Sequence, residues 1–381
     1  MPGLTGWKPE GTVPLEKARK IVILLPHFRR GGAENVMVRI ANGLADRGID
    51  VHFCGLSPAG DLRDDLDERV TINDLGVSRV RYAGPGLLRY LRQKRPDVVL
   101  STLGRLNTLL LLLRPMLGRM RIFVREANTP SVDLQEGSHS RLTLWLMPHA
   151  YRQANTIICQ SQAMLTDVSA TYHISPSHLA QIYNPVPIDH IRQAISGADN
   201  PFSPGSRNIV FCGRFSRQKG VDILMRAFAS LADRIENVRL HLLGEGEDED
   251  ALKSLAADLA ITGSIEWWGF REDRYRFFHY ADLVVSSSRW EGLPNVLLEA
   301  LSAGAKIVAT DCPGGTREIL EMGQVGELVE KEHPEALAAA IQRALTSPSV
   351  SESEIDKVLS RFRQSRIIDE YLATLFPEQV L

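Results

Sequence analysis

Trp290-Glu291-Gly292-Leu293-Pro294-Asn295-Val296-Leu297-Leu298-Glu299-Ala300 decides how this chain is read. Two carboxylates are separated by seven intervening residues, one on each side of a helix start. Pro294 suits the first helical position, where its missing N–H would have no partner anyway. The apolar run Val296–Leu301 continues the helix, and Gly304 reads as its stop. Leu293, just ahead, has no side-chain oxygen to cap the helix. The first backbone amides of Leu293–Val296 are left for another acceptor, such as a phosphate. Glu291 and Gly292 lie in the loop over that mouth. Glu299 lies about two turns inside, roughly 12 Å along the axis. The arrangement can offer one carboxylate to a sugar hydroxyl and the other to a ribose diol. The plainer alternative is a capless surface helix with two unrelated glutamates, and the flanking sequence argues against it.

About seventy residues upstream, Cys212-Gly213-Arg214-Phe215-Ser216-Arg217-Gln218-Lys219-Gly220 follows an apolar run and opens another helix. Arg214 offers two-point recognition of phosphate oxygens, and Lys219 a mobile point charge. Near the N-terminus, Leu24-Leu25-Pro26-His27-Phe28-Arg29-Arg30-Gly31-Gly32-Ala33-Glu34 reads as strand, glycine turn and helix. Such a turn lets amides approach an anion closely. It lacks the Gly-x-Gly-x-x-Gly spacing of dinucleotide sites, which argues against a dehydrogenase. Downstream, Asp311-Cys312-Pro313-Gly314-Gly315-Thr316-Arg317-Glu318 continues the pattern.

Together these segments resemble the retaining glycosyltransferases of family four, the group 1 enzymes of the GT-B fold. The resemblance spans nearly the whole chain. It implies an α/β protein of two Rossmann-like domains facing across a deep cleft, with the C-terminal helix returning to the first domain. It further implies catalytic roles for Arg214 and Lys219, on the donor diphosphate, and for Glu291, on the donor sugar. Donor contacts are implied at Gly31, Gly32, Gly213, Gly292, Leu293, Pro294, Asn295, Val296 and Glu299. Leu242-Leu243-Gly244-Glu245-Gly246 and Trp267-Trp268-Gly269-Phe270 resemble loops that line a nucleotide base, placing Gly244, Gly269 and Phe270 there. Trp267 and Trp268 themselves are read as core. Several relatives carry a His in the loop Arg125-Glu126-Ala127-Asn128-Thr129-Pro130, where this chain has none. Glu126 and Asn128 are therefore the acceptor-side candidates. His27 is read as structural.

The 381 residues allow two or three domains of about 100–200 residues each. Strands are expected at Lys20–Leu25, Asp50–Gly55, Val70–Leu75, Val98–Ser101, Arg121–Val124, Thr156–Cys159 and Ala180–Ile182, alternating with amphipathic helices. The alternation breaks at Asn184-Pro185-Val186-Pro187 and again at Ser196–Arg207. The first domain is accordingly set at residues 1–195 and the second at 205–362, with a returning helix at about 365–381.

Four scattered cysteines form no Cys-x-x-Cys pair and are read as reduced, mostly buried residues. Asp248-Glu249-Asp250 opens a helix, where acids oppose the helix dipole, so no metal and no cofactor are expected. Met1–Lys20 carries no apolar core for a signal peptide. The longest apolar run, Thr108–Leu113, is far short of the roughly 20 residues that span a bilayer. From Arg79 to Arg125 stand eleven Lys or Arg against one acid, Asp97. This stretch reads either as solvated helix faces or as a surface for anionic lipid or a lipid diphosphate. Nucleic acid is not expected, because the cations are not interleaved with stacking aromatics.

The expectation is a glycosyltransferase of hexosyltransferase type. It would move a sugar from a nucleotide-diphosphate donor, a UDP-sugar favoured, to a hydroxyl of a lipid-linked glycan in cell-surface polysaccharide assembly. It is expected in the cytoplasm, peripheral on the inner face of the cell membrane. The alternatives are an epimerase or phosphorylase of the same fold, or a non-catalytic nucleotide-sugar-binding subunit.

Overall fold

The computed structural model describes residues 19–136 and 141–377, and most of the apolar runs in them are buried parallel strands. The first sheet holds β1 (Lys20–Leu25), β2 (Asp50–Gly55), β3 (Thr71–Asp74), β4 (Val98–Thr102), β5 (Arg121–Arg125), β6 (Thr156–Cys159) and β7 (Leu179–Gln181). Their order is β3-β2-β1-β4-β5-β6-β7. The second holds β8 (Arg207–Cys212), β9 (Val238–Leu243), β10 (Ile265–Gly269), β11 (Leu283–Ser286), β12 (Ile307–Asp311) and β13 (Glu327–Glu330), ordered β10-β9-β8-β11-β12-β13. Central registers set Ile23 between Phe53 and Leu100, and Val210 between His241 and Val284.

Strands buried on both faces need helices on both. In the first layer these are α1 (Gly32–Asp46), α2 (Gly84–Lys94), α3 (Gly104–Leu112), α4 (Pro130–Glu136), α5 (Arg141–Tyr151) and α6 (Gln162–Tyr172). Then come α7 (Ile188–Ile195), α8 (Val221–Ala232), α9 (Glu249–Asp258), α10 (Arg274–Tyr280), α11 (Asn295–Ser302), α12 (Thr316–Ile319), α13 (Pro334–Thr346), α14 (Glu352–Leu359) and α15 (Gln364–Leu375).

In each sheet the winding reverses once, between β1 and β4 and between β8 and β11. Parallel sheets of this kind bind ligands in the crevice outside the carboxyl ends of the strands at that point. The loops leaving β1, β8 and β11 carry Gly31–Gly32, Gly213–Gly220 and Glu291–Pro294 respectively. The topology thus brings the three motif segments to one place.

The returning helix is present. Ile367, Ile368, Tyr371 and Leu375 of α15 share a core with Ile21, Ile23, Val36 and Leu44. Arg47 of α1 also pairs with Asp369 at 2.8 Å. Residues 378–381 of the expected helix and 1–18 of the expected first domain lie outside the described residues.

The structure departs from the expected domain boundary at α7. Helix α7 falls within the first 195 residues, yet Ile188 and Ile191 pack with Phe277, Leu297 and Leu301 of the second domain. The chain therefore crosses over at Asn184–Pro187, ahead of the Ser196–Arg207 break. It returns alongside: Val186 bridges Arg363, and the Val186 amide donates to the Phe362 carbonyl at 2.9 Å. Helix α3 stops at Leu112, and a short tight turn at Arg114–Met116 follows around Pro115. The elements α4, α12 and β13 are too short to show a hydrophobic period.

Candidate active site

The loop from Ser287 to Pro294 runs from β11 into α11. The helix starts at Asn295, and Pro294 is its cap rather than its first residue, with φ −72° and ψ 96°. An extended ψ at Pro294 turns the chain into the helix one residue late, and the Leu297 amide reaches back to the Pro294 carbonyl at 3.1 Å. No side chain caps the helix, so its mouth keeps the uncapped amides that the sequence implied.

Glu291 is fixed on every side. Its amide donates to the Pro313 carbonyl at 2.9 Å, and its carbonyl accepts from Thr129 Oγ1 at 2.8 Å. Its Oε1 accepts from Lys219 Nζ and from Ser288 Oγ, both at 2.6 Å. Lys219 closes a short turn, Arg217–Lys219, that Gly220 ends in the left-handed region at φ 59°. Arg289 ties the two loops together: it pairs with Asp222 at 2.8 Å and Glu332 at 2.6 Å, and donates to the Arg217 carbonyl at 2.7 Å. Hydrogen bonds from Arg289 to Asp222 raise the guanidinium pKa, so Arg289 is a permanent cation. Arg214 is exposed and has no protein partner among the described residues.

Gly213, Gly244 and Gly269 close the adjacent strands β8, β9 and β10. Gly244 lies at φ 137°, and a Cβ there would overlap the Gly213 carbonyl. Its amide donates to the Gly269 carbonyl at 2.8 Å. Phe270 is exposed and its amide donates to Glu245 at 3.4 Å. Trp267 and Trp268 pack on the core, Trp268 bonding His241 at 3.1 Å.

Glu299 is buried, about one turn inside α11 because the helix starts only at Asn295, and is not a free carboxylate. Arg274 of α10 grips it with two bonds, Nε to Oε2 at 2.8 Å and Nη2 to Oε1 at 3.0 Å. Arg39 of α1, in the first domain, stands 3.5 Å from Oε1. Burial pushes the carboxyl pKa up, but Arg274 and Arg39 outweigh it and hold Glu299 below its ordinary range.

The first domain meets this loop closely. The Gly292 backbone lies against Ala127, where a Cβ would overlap the carbonyl. Asn295 donates to the Gly32 carbonyl at 3.3 Å and accepts from Asn184 at 2.7 Å. Asn184 in turn accepts from Arg125 at 2.5 Å. Glu318 crosses the other way, its carboxylate accepting from the Gln162 and Ala163 amides at the mouth of α6 at 3.0 and 2.9 Å. That is where a helix dipole favours an anion. Gly31 faces the chain's own Glu34: a Cβ on Gly31 would overlap that carboxylate. Leu293 and Pro294 are buried and Val296 half-buried, because the two domains are drawn together here.

The acceptor-side candidates are corrected in part. Asn128 accepts from Gln218 at 3.4 Å, so it contacts the second domain. Glu126 does not lie on an open face. It is buried within the first domain beside Tyr151 and Asn107, and burial pushes its carboxyl up to about 7. Its Oε1 and the Asn107 Oδ1 are buried without a hydrogen-bond partner among the described residues. Arg125 is buried outright, and the desolvation lowers its pKa.

Sequence spacing does not point to Arg39, Arg274, Ser288, Arg289, Asn184 or Glu318. Ser288 acts within its own loop, on Glu291 three residues on; each of the others acts through a contact with a residue in another element or across the crevice, which no local period records. All four cysteines are free, and burial pushes the Cys54, Cys212 and Cys312 thiols up to about 12. Glu249 of the acidic run opens α9 and pairs with Lys253 at 2.7 Å. Among the described residues no group of three His, Cys, Asp or Glu side chains could hold a metal ion. None of their helices is long and apolar enough to cross a membrane.

Residues 30–190 match the family described as Glycosyltransferase Family 4, and residues 206–347 the one described as Glycosyl transferases group 1. A lipopolysaccharide core biosynthesis glycosyltransferase of Rhizobium meliloti is 27% identical over 362 residues, 92% of this chain and 97% of that protein. An N-acetylgalactosaminyltransferase of Campylobacter jejuni, named for a diacetylbacillosaminyl-diphospho-undecaprenol acceptor, is 26% identical over 266 residues, 70% of this chain and 71% of that protein. The fold is that of an Anabaena protein solved with UDP-glucose: TM-score 0.76 and 20% identity, over 93% of this chain and 100% of that one. The two family matches meet on either side of the crevice that holds Glu291, Lys219 and Glu299, and the chain belongs to the group 1, family four glycosyltransferases of the GT-B fold.

Proposed function

We propose that the protein transfers a sugar from a UDP-sugar, with retention of anomeric configuration, to a hydroxyl of a lipid-linked glycan in cell-surface polysaccharide assembly. The observation that carries this reading is the Lys219–Glu291 pair, 2.6 Å apart beside the uncapped mouth of α11, with the unpaired Arg214 on the same loop as Lys219. The donor diphosphate would draw Lys219 from Glu291 and add Arg214 and the helix amides. Glu291, released from one bond, would take a hydroxyl of the donor sugar. As the bond between the anomeric carbon and the diphosphate oxygen breaks, negative charge grows on the leaving diphosphate, where these fixed groups act most strongly. Glu299 would hold the ribose: Oε2 keeps a second lone pair beside its bond to Arg274, while Oε1 faces both Arg274 and Arg39.

The relatives' names support a glycan acceptor, and one names a lipid diphosphate. Contact with an anionic membrane surface belongs to the same proposal. None of the cations from Arg79 to Arg125 makes an ion pair among the described residues. A panel of UDP-, GDP- and ADP-sugars, followed by binding and by slow donor hydrolysis without acceptor, tests the donor. Proton NMR of the released product's anomeric centre tests retention. Binding of none of the donors, or an inverted product, would overturn the respective part.

A further inference from the structure

The basic stretch does not form one surface. Arg79, Arg81 and Arg105 sit near the carboxyl ends of the strands, and Arg125 is buried. A second group collects at the opposite edge of the first sheet, around the amino ends of β1, β4 and β5. There a cavity of about 810 Å³ is lined by Arg19, Arg92, Arg95, Arg119 and Arg121, with Asp97 the single acid. Strands of five residues separate this edge from the donor crevice by roughly 16 Å. A diphosphate held in the crevice by Lys219 and Arg214 would be out of contact with these side chains.

We infer that this cavity is a second anion site, taking phosphoryl groups separately from the donor crevice: a free phosphate or diphosphate, or the phosphate of an anionic lipid headgroup. Asp97, whose carboxylate accepts the Lys20 amide at 2.9 Å, sets a single negative charge against Arg92, Arg95, Arg119 and Arg121. Arg92, Arg95, Arg119 and Arg121 have no carboxylate partner among the described residues, whereas Arg30, Arg63, Arg69 and Arg289 elsewhere are each ion-paired. Helix electrostatics explain only part of the cluster. Arg92 lies in the last turn of α2, where a cation suits the helix dipole, but Arg119 and Arg121 lie in no helix.

Two of the guanidiniums are held in place. Arg92 donates to the Met116 carbonyl at 3.2 Å, and Arg121 sits 5.9 Å from the Phe376 ring. Arginine forks held this way suit the planar, two-point recognition of phosphate oxygens. Met116 lines the cavity and is exposed, and Leu112 is exposed at the end of the preceding helix α3. These apolar side chains would let a lipid-borne phosphate dock as well as a free one. The inference does not depend on the sugar-transfer reading. It deepens the anionic-surface reading by naming which of the cations take part.

The test is calorimetric titration of pyrophosphate into the full chain saturated with UDP. In parallel, the protein is co-sedimented with phosphatidylglycerol-containing and with purely phosphatidylcholine vesicles. The expected result is pyrophosphate binding that persists under saturating UDP and in Lys219→Ala. It should weaken by roughly tenfold or more in Arg95→Glu/Arg119→Glu, the loss expected for one or more charge-assisted contacts. UDP affinity should be unchanged in that variant, which also shows that it is folded. The milder Arg95→Gln/Arg119→Gln pair should show the same loss in smaller measure. Salt-sensitive sedimentation with phosphatidylglycerol alone, lost in the same variants, identifies the headgroup as the ligand. Pyrophosphate binding without sedimentation identifies the free anion. Binding of neither probe, or binding by the variants equal to wild type, would overturn the site. Failure of the donor reading shows separately, as absent UDP binding.

Discussion

Arg274 grips both carboxylate oxygens of Glu299 from within the second domain, at 2.8 and 3.0 Å, while Arg39 approaches the same carboxylate across the crevice at 3.5 Å. The three side chains turn one glutamate into a junction of the two domains. A buried charge that loses its partner costs far more than an exposed one. Arg274→Ala should therefore lower unfolding stability by about 3 kcal/mol, near the low end for a broken buried pair because Arg39 remains. Urea denaturation measures it, and a change under about 0.5 kcal/mol, typical of a surface pair, would contradict the role.

Arg39→Ala removes the contact with Glu299 across the crevice and one hydrogen bond to the Pro185 carbonyl at 3.3 Å. Glu299 keeps both bonds to Arg274, so the second domain should be intact and stability nearly unchanged. The expected effect is on closure: a KM for the donor raised by about three- to tenfold with UDP affinity altered less, from the loss of one surface-proximal charge contact. Steady-state kinetics alongside UDP calorimetry separates the two. Equal loss in both would place Arg39 at the nucleotide instead.

A third expectation concerns metal. Lys219, Arg214 and the α11 mouth together provide fixed positive charge for a diphosphate. Turnover should survive exhaustive chelation with EDTA within about twofold. A loss restored only by magnesium or manganese would show that these groups do not suffice.

How much of this can be read from the residues alone depends on where each interaction lies along the chain. Strands such as Lys20–Leu25 and Thr156–Cys159 are legible to the residue, since β-branched runs between turn signals leave few other readings. The uncapped mouth of α11 is legible because a cap is a local property, although Pro294 shifts the start by one residue. Lys219 and Glu291 are legible as two ends of one motif, but not as an ion pair. Arg39 and Arg274 are not legible at all: their partner Glu299 is 260 and 25 residues away, and neither sits in a repeating pattern. Glu126 stands out in the sequence as a polar group of the right loop. That it points into the first domain's interior follows from the packing of α3 and α5, which the sequence places only coarsely.

The buried Glu126 gives a prediction in pH. Burial pushes its carboxyl from an ordinary 4.5 up to about 7 in the folded protein. The folded state then binds a proton that the unfolded state has released between those two values. The stability Glu126 contributes is complete below about 4.5 and is lost as pH rises through about 7. Glu126→Gln keeps the shape and cannot ionise. Its advantage over wild type should grow from pH 5 to pH 7 by about 1.4 kcal/mol for each pH unit, and level off above that. Thermal unfolding of both proteins from pH 5 to pH 8 reads the difference. Parallel curves would show that Glu126 stays at its ordinary value.

The two glutamates of the opening motif should separate in binding. Glu299 stands beside Arg274 and Arg39, about one turn inside α11, where the proposal puts the ribose. Glu299→Ala should weaken free UDP and the full donor alike, by about ten- to a hundredfold for a lost charge-assisted bond. It also leaves two half-buried arginines without their carboxylate, so its stability must be measured in parallel, and Glu299→Gln serves as the milder variant. Glu291 lies in the loop at the helix mouth, bonded to Lys219 and Ser288. If it meets only the sugar, Glu291→Ala should bind UDP nearly as wild type does and lose turnover. Removing it also frees Lys219 from its counter-charge, so any change in UDP affinity should be a gain, of less than about tenfold. That sign is the sharper test, because a general loss of structure would weaken UDP in both variants. Equal UDP losses in Glu291→Ala and Glu299→Ala would defeat the division of roles, and wild-type turnover in both would defeat the placement of the active site.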